Sequence, residues 1–129
     1  MKKNQIKSKT RTDVRVEKVI DVSGRSLGRV ASEVAFILMG KNNVSYKRNI
    51  YSGSPVKVIN SSKLRISAKK LSEIYHTRYS GYPGGLKILT GTYTAKKNGV
   101  KELIKLAIYQ MLPDNKLRKE MMKNLILED

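Results

Sequence analysis

Apolar residues recur at helical spacing in two stretches of the chain, and these frame the expected fold. Leu27, Val30, Ala31, Val34, Ala35 and Leu38 fall at i, i+3, i+4, i+7, i+8 and i+11, one stripe along a helix. Phe36, Ile37 and Met39 widen the stripe, which predicts a helix buried on more than one side. Ser26 stands where an N-cap is needed and Gly40 where a helix commonly turns out of its last carbonyls. Between 98 and 112 the pattern returns in Val100, Leu103, Ile104, Ala107, Ile108 and Met111, with Lys101 and Lys105 on the wet side and Pro113 as the stop. "VEKVIDVSG" (16–24) reads as a strand ending in a glycine turn, and "PVKVIN" (55–60) and "KLRIS" (63–67) read as two short strands. Asp114 or Asn115 is placed to cap a short last helix around Leu117 and Met121, followed by an apolar "LILED". Strand, helix, strand, strand, helix predicts one α/β domain over 16–129 with a small, mostly parallel sheet.

Charge changes the picture from fold to partner. Lys and Arg number 27 against 10 acids, a net +17 on 129 residues. Self-repulsion of that size opposes a compact chain and calls for a polyanion, with nucleic acid the first expectation. The core piece 19–40 is neutral, whereas 41–87 holds ten cations, one acid, five of the seven tyrosines and the only histidine. That middle third is the expected binding face. Lys2, Lys3, Lys7, Lys9 and Arg11 make residues 1–15 a basic arm with almost nothing apolar in it. A mitochondrial presequence is a poorer reading of the same residues, because no amphipathic pattern runs through them. The chain has no cysteine, which removes a disulfide framework and thiolate metal sites. The longest apolar run, "VAFILM" (34–39), is far short of a membrane span, and no apolar h-region occupies the first 18 residues. A cytoplasmic protein is expected.

Catalytic chemistry finds little support. "GRSLGR" (24–29) lies at a strand-to-helix turn, as phosphate loops do, but lacks the Gly-Lys-Ser/Thr ending of a P-loop and the three spaced glycines of a dinucleotide turn. Free N–H groups at the helix start, with Arg25 and Arg29, would still hold an RNA phosphate. His76 has no partner set for general-base work, and zinc would lack ligands. The chain is expected to be no enzyme, with no catalytic residue, resident metal or cofactor, small-molecule substrate or membrane partner. In "HTRYSGYPGGLK" (76–87) the composition reads as a loop without regular structure. There Gly81, Gly84 and Gly85 would let backbone approach a ligand, and Tyr75, Tyr79 and Tyr82 would offer faces to bases or ribose. His76, Arg78 and Lys87 would meet phosphate. Lys41, Tyr46, Lys47, Arg48, Lys69, Lys70, Arg118, Lys119 and Lys123 complete the expected RNA-binding set.

"DVSGRSLGRVASEVA" (21–35), "RISAKKLSEIYHTRYSGYPGGLK" (65–87) and "YQMLPDNKLRKEMMKNL" (109–125) resemble, in order and spacing, three hallmark blocks of the bacterial large-subunit ribosomal protein L-thirteen family. The resemblance runs from about residue 16 onward. It implies a three-layer α/β/α sandwich around a four-stranded parallel sheet. It also implies a structural role on large-subunit ribosomal RNA, beside neighbouring large-subunit proteins, with entry early in assembly. The chain departs from the family pattern at Leu117, Arg118, Lys119, where a glycine and arginine usually follow the leucine, and after Lys41, where only Tyr46 of the family's stretch carries over. Two other readings stay open: a free nucleic-acid-binding regulator, and a nucleotide-using RNA enzyme built on the Gly24 to Arg29 turn.

Overall fold

Alternation, helical stripes and turn chemistry account for the elements of the computed structural model, which describes residues 17–129. Strand β1 (Lys18–Asp21) leads through a turn into helix α1 (Leu27–Leu38), and β2 is Val56–Ile59. A single 3-10 turn (Ser61–Lys63) and a short helix α2 (Ala68–Glu73) lead to β3 (Tyr75–Tyr79) and β4 (Leu86–Thr90). Helices α3 (Gly91–Asn98), α4 (Val100–Met111) and α5 (Arg118–Lys123) follow, and β5 (Leu125–Leu127) closes the order.

Helix α1 has the predicted bounds, and its C-terminal end is chemically marked. The N–H of Gly40 donates to Ile37 O at 2.9 Å and that of Lys41 to Phe36 O at 3.2 Å, the paired bonds of a Schellman closure. Its stripe meets α4 and the sheet. Leu38, Val30, Val34, Val56, Val58, Ile104 and Ile108 are all fully buried in one apolar cluster. Each such side chain stabilises the fold by about 1.5–3 kcal/mol relative to exposure. Phe36 departs from expectation: it is 47% exposed, whereas Ile37 is buried and Met39 packs against the core, so those two widen the stripe.

The main sheet is parallel and three-stranded, ordered β1-β2-β5, with Lys18 opposite Val56 and Val56 opposite Leu125. Strand alternation puts Ile20, Val56, Val58, Leu125 and Leu127 on the face that joins the helical core. The opposite face carries the row Val19, Lys57, Ile126, in which Val19 and Ile126 are exposed. The described residues therefore form two layers where three were expected, and the sheet has three strands where four were. "LILED" supplies the third strand.

"KLRIS" is not a strand. Asn60 enters the left-handed region (φ 60) and starts the 3-10 turn, after which Arg65 makes only an isolated bridge to Ser26. Two anchors hold this course. Asn60 Nδ2 donates to Asp21 Oδ1 at 3.0 Å, and the buried Ser61 hydroxyl lies 2.7 Å from both Glu128 O and Asp129 Oδ1. The expected 76–87 loop is also regular for most of its length: β3 and β4 pair antiparallel as a separate hairpin, Tyr75 opposite Thr90 through Tyr79 opposite Leu86.

Candidate nucleic-acid interface

The turn after β1 and the start of α1 open onto a cleft of about 680 Å³ whose lining includes Arg25, Arg29, Arg65, Ser67 and Lys70. The backbone assembles it: the N–H of Gly24 donates to Lys63 O at 3.0 Å and that of Arg65 to Arg25 O at 3.0 Å. Ser26 lacks a side-chain capping bond, which leaves the first-turn N–H groups of α1 open to an anion. Ser67, across the cleft, caps α2 by accepting from the Lys70 N–H at 3.2 Å. Arg25 is paired with Glu33. No described carboxylate forms an ion pair with Arg29, Arg65 or Lys70, so three cations face the cleft uncompensated. Asp21, beneath the turn, is held below its ordinary carboxylate value by the Ser23 N–H, with the Asn60 amide and Ser23 hydroxyl adding to it. It stays anionic as an anchor of the turn.

The hairpin sorts the candidate residues by face. His76 and Arg78 share one face with Lys87 and Leu89, and Tyr75 and Tyr79 lie on the other. Behind the first face is a cleft of about 500 Å³ lined by His76, Arg78 and Lys87 together with Tyr93, Lys97 and Glu102 of α3 and α4. The His76 Nε2 is enclosed there without a described hydrogen-bond partner. At the tip the Gly85 N–H donates to Tyr82 O at 3.0 Å, with Pro83 and then Gly84 (φ 73) between them, the signature of a type II turn. Gly84 is thus required by conformation. Gly84 therefore needs no close RNA approach to explain it. At Gly85 a Cβ would meet Ser80 Oγ at 1.9 Å, a hydroxyl that can rotate away, with Tyr82 O at 3.0 Å and Ser80 Cβ at 3.2 Å leaving little room to spare. Gly81 and Tyr82 remain exposed at the tip.

Lys41, Tyr46, Lys47 and Arg48 come together around a recess of about 260 Å³ against Asn115 and Leu117. Arg118 does not join them as a free contact. Its Nε donates to Pro113 O at 2.9 Å, its Nη2 to Leu112 O at 3.0 Å, and its Nη1 lies 3.2 Å from Asp114. The guanidinium also stacks 4.5 Å from the Tyr109 ring centroid. With each of its three guanidinium nitrogens engaged inside the chain, Arg118 is a structural tie. Lys119 and Lys123 are exposed, and Lys69 is exposed with Glu73 at 3.9 Å. Lys2, Lys3, Lys7, Lys9 and Arg11 lie outside the described residues.

Residues 15–127 match the sequence pattern of the family described as Ribosomal protein L13. The chain belongs to that family. It is 42% identical over 107 residues to the large ribosomal subunit protein uL13 of Thermotoga petrophila, covering 83% of this chain and 71% of that one. The uL13 of Aquifex aeolicus is 43% identical over 107 residues, covering 83% and 74%. That of Staphylococcus haemolyticus is 39% identical over 109 residues, covering 84% and 74%.

The L13 family is structural and non-enzymatic, which fits a site built of cations and rings rather than nucleophiles. In this L13-family chain the expected residues gather into three groups, Arg25, Arg29 and Lys70 at the first cleft, the hairpin set, and the 41–48 set. Sequence reasoning missed Arg65 and Ser67, hidden by the strand reading of "KLRIS", and Lys97 of α3. The available signal was cation density: "KLRISAKK" places four cations in eight residues.

Proposed function

We propose that this chain is a structural constituent of the large ribosomal subunit, binds large-subunit ribosomal RNA, and joins the particle early in assembly in the cytoplasm. The name of its relatives supports the particle, and the geometry supports the polyanion. The carrying observation is the 680 Å³ cleft, where an uncapped helix start and three uncompensated cations, Arg29, Arg65 and Lys70, converge without a catalytic group. Phosphate is the ligand such a site fits. The hairpin tip and the Lys41 to Arg48 recess extend the basic surface, and the basic arm would add charge to it.

Tagged chain should sediment with large subunits, and ultraviolet crosslinks should map to large-subunit ribosomal RNA. Recovery on a short free RNA, with none in subunits, would instead establish the free regulator. Binding of neither would remove the proposal.

A further inference from the structure

The hairpin has two chemically opposed faces, and only one of them suits RNA. Pairing of β3 with β4 puts Tyr75, Thr77, Tyr79, Leu86, Ile88 and Thr90 on the same side. Among the described residues nothing covers that side: Tyr75 is 67% exposed, Tyr79 65%, Leu86 58% and Ile88 63%. In a chain of net +17, these six residues carry no Lys, Arg, Asp or Glu. The cations of the hairpin, Arg78 and Lys87, are all on the reverse side, over the second cleft.

We infer that the Tyr75–Ile88 face docks an uncharged, apolar surface of a second, different protein, while the reverse face and tip serve RNA. This rests on the ribosomal reading above. Charge complementarity decides the occupant. A phosphate backbone laid on this face would meet no cation, although the chain has cations to spare a few ångströms of backbone away. Stacking does not rescue RNA either. Thr77 and Ile88 form the middle pair, between the two tyrosine rows, and a β-branched aliphatic there denies a base the flat platform it needs. An aromatic and aliphatic surface without charge is the composition found at the buried centre of protein interfaces. Self-association of this face is disfavoured by bringing two chains of +17 together.

The test uses the full chain with a photo-crosslinking residue in the patch, Ile88→p-benzoylphenylalanine, bound to large-subunit ribosomal RNA with or without total protein extracted from large subunits. A protein adduct distinct from the chain itself, formed only when the extract is added, is the expected result. Label on RNA, label on a second copy of the chain, or no adduct while RNA binding is intact would each overturn the inference and leave the ribosomal reading standing. Failure to bind RNA at all would remove both. A second variant keeps the test independent of crosslinking. Ile88→Lys adds a cation at an exposed site, so binding to bare RNA should be unchanged or a few-fold tighter, and retention in the presence of the extracted proteins should fall at least tenfold. Tighter retention in both settings would mean that RNA occupies the face.

Discussion

Removing the three uncompensated cations of the first cleft, by Arg29→Ala, Arg65→Ala and Lys70→Ala together, should change how RNA binding responds to salt. All three side chains are exposed and outside the apolar cluster. None has an ion pair with a described carboxylate. Folding stability should therefore stay within about 0.5 kcal/mol for each site, as for ordinary surface substitutions. Binding has a separate signature. Each phosphate neutralised contributes about 0.7–0.9 to the slope of log affinity against log salt, so loss of three contacts should make the slope shallower by about 2–3. Across a fourfold change, from about 50 to 200 mM, the native chain should lose roughly 20- to 40-fold more affinity than the variant. Fluorescence anisotropy on a large-subunit ribosomal RNA fragment at several salt concentrations measures this, with urea denaturation in parallel. An unchanged slope in a folded variant would refute the cleft as a phosphate site. So would a stability loss large enough to account for the weaker binding.

Arg118→Ala should behave in the opposite way, losing about 1.5–3 kcal/mol of stability with its charged hydrogen bonds while leaving the salt slope alone. A shallower slope with unchanged urea midpoint would mean the guanidinium serves RNA. Gly84→Val places a β-branched residue at φ 73, costing about 1–2 kcal/mol locally. Hydrogen exchange should accelerate in β3 and β4 and stay unchanged in β1 and β2, whereas uniform acceleration would show that the hairpin folds as one unit with the core. Asp129 is held below its ordinary carboxylate value by Lys101 first and Ser61 second. Because the folded value is depressed, its contribution is full above the ordinary Asp value of 3.8 and is lost as pH falls through the lower folded value. Asp129→Asn should reduce stability at neutral pH and flatten the acid limb below about pH 4, as read by urea midpoints against pH; an acid limb identical to that of the native chain would count against the tie.

Helices α1 and α4 were legible because their stripes are long enough to fix a period, and Gly40 marked an end whose closing bonds are local. Other elements depended on neighbours that a linear reading does not supply. Leu64 and Ile66 alternate as a strand would, yet among the described residues no strand pairs with them, and the course of the chain is set by Asn60 and Ser61 reaching Asp21 and Glu128. Glycine and proline at 81–85 made the whole 76–87 segment look irregular, although Tyr75-Thr77-Tyr79 and Leu86-Ile88-Thr90 already alternate on either side of a Pro-Gly turn. Helix α3 has no apolar stripe and is set by Thr90, whose hydroxyl accepts from the Tyr93 N–H at 3.4 Å. Within the candidate site, positive charge located the basic surface but did not separate a cation facing solvent, such as Arg29, from one spent on carbonyls, such as Arg118.

The placement of β5 beside β2 has a consequence for vectorial synthesis. Val56 pairs with Leu125, roughly 70 residues later, which at ordinary translation speeds is about 3 to 14 seconds of elongation. Throughout that interval the nascent β2, with Val56 and Val58 bound for the core, has one edge without its final partner. Such an edge invites pairing with other chains. Closure of the sheet, and with it the completed core, waits for Leu125–Leu127, so a nascent-chain series arrested before residue 125 should remain protease-sensitive at β2 and become resistant only after the Leu-Ile-Leu segment has emerged.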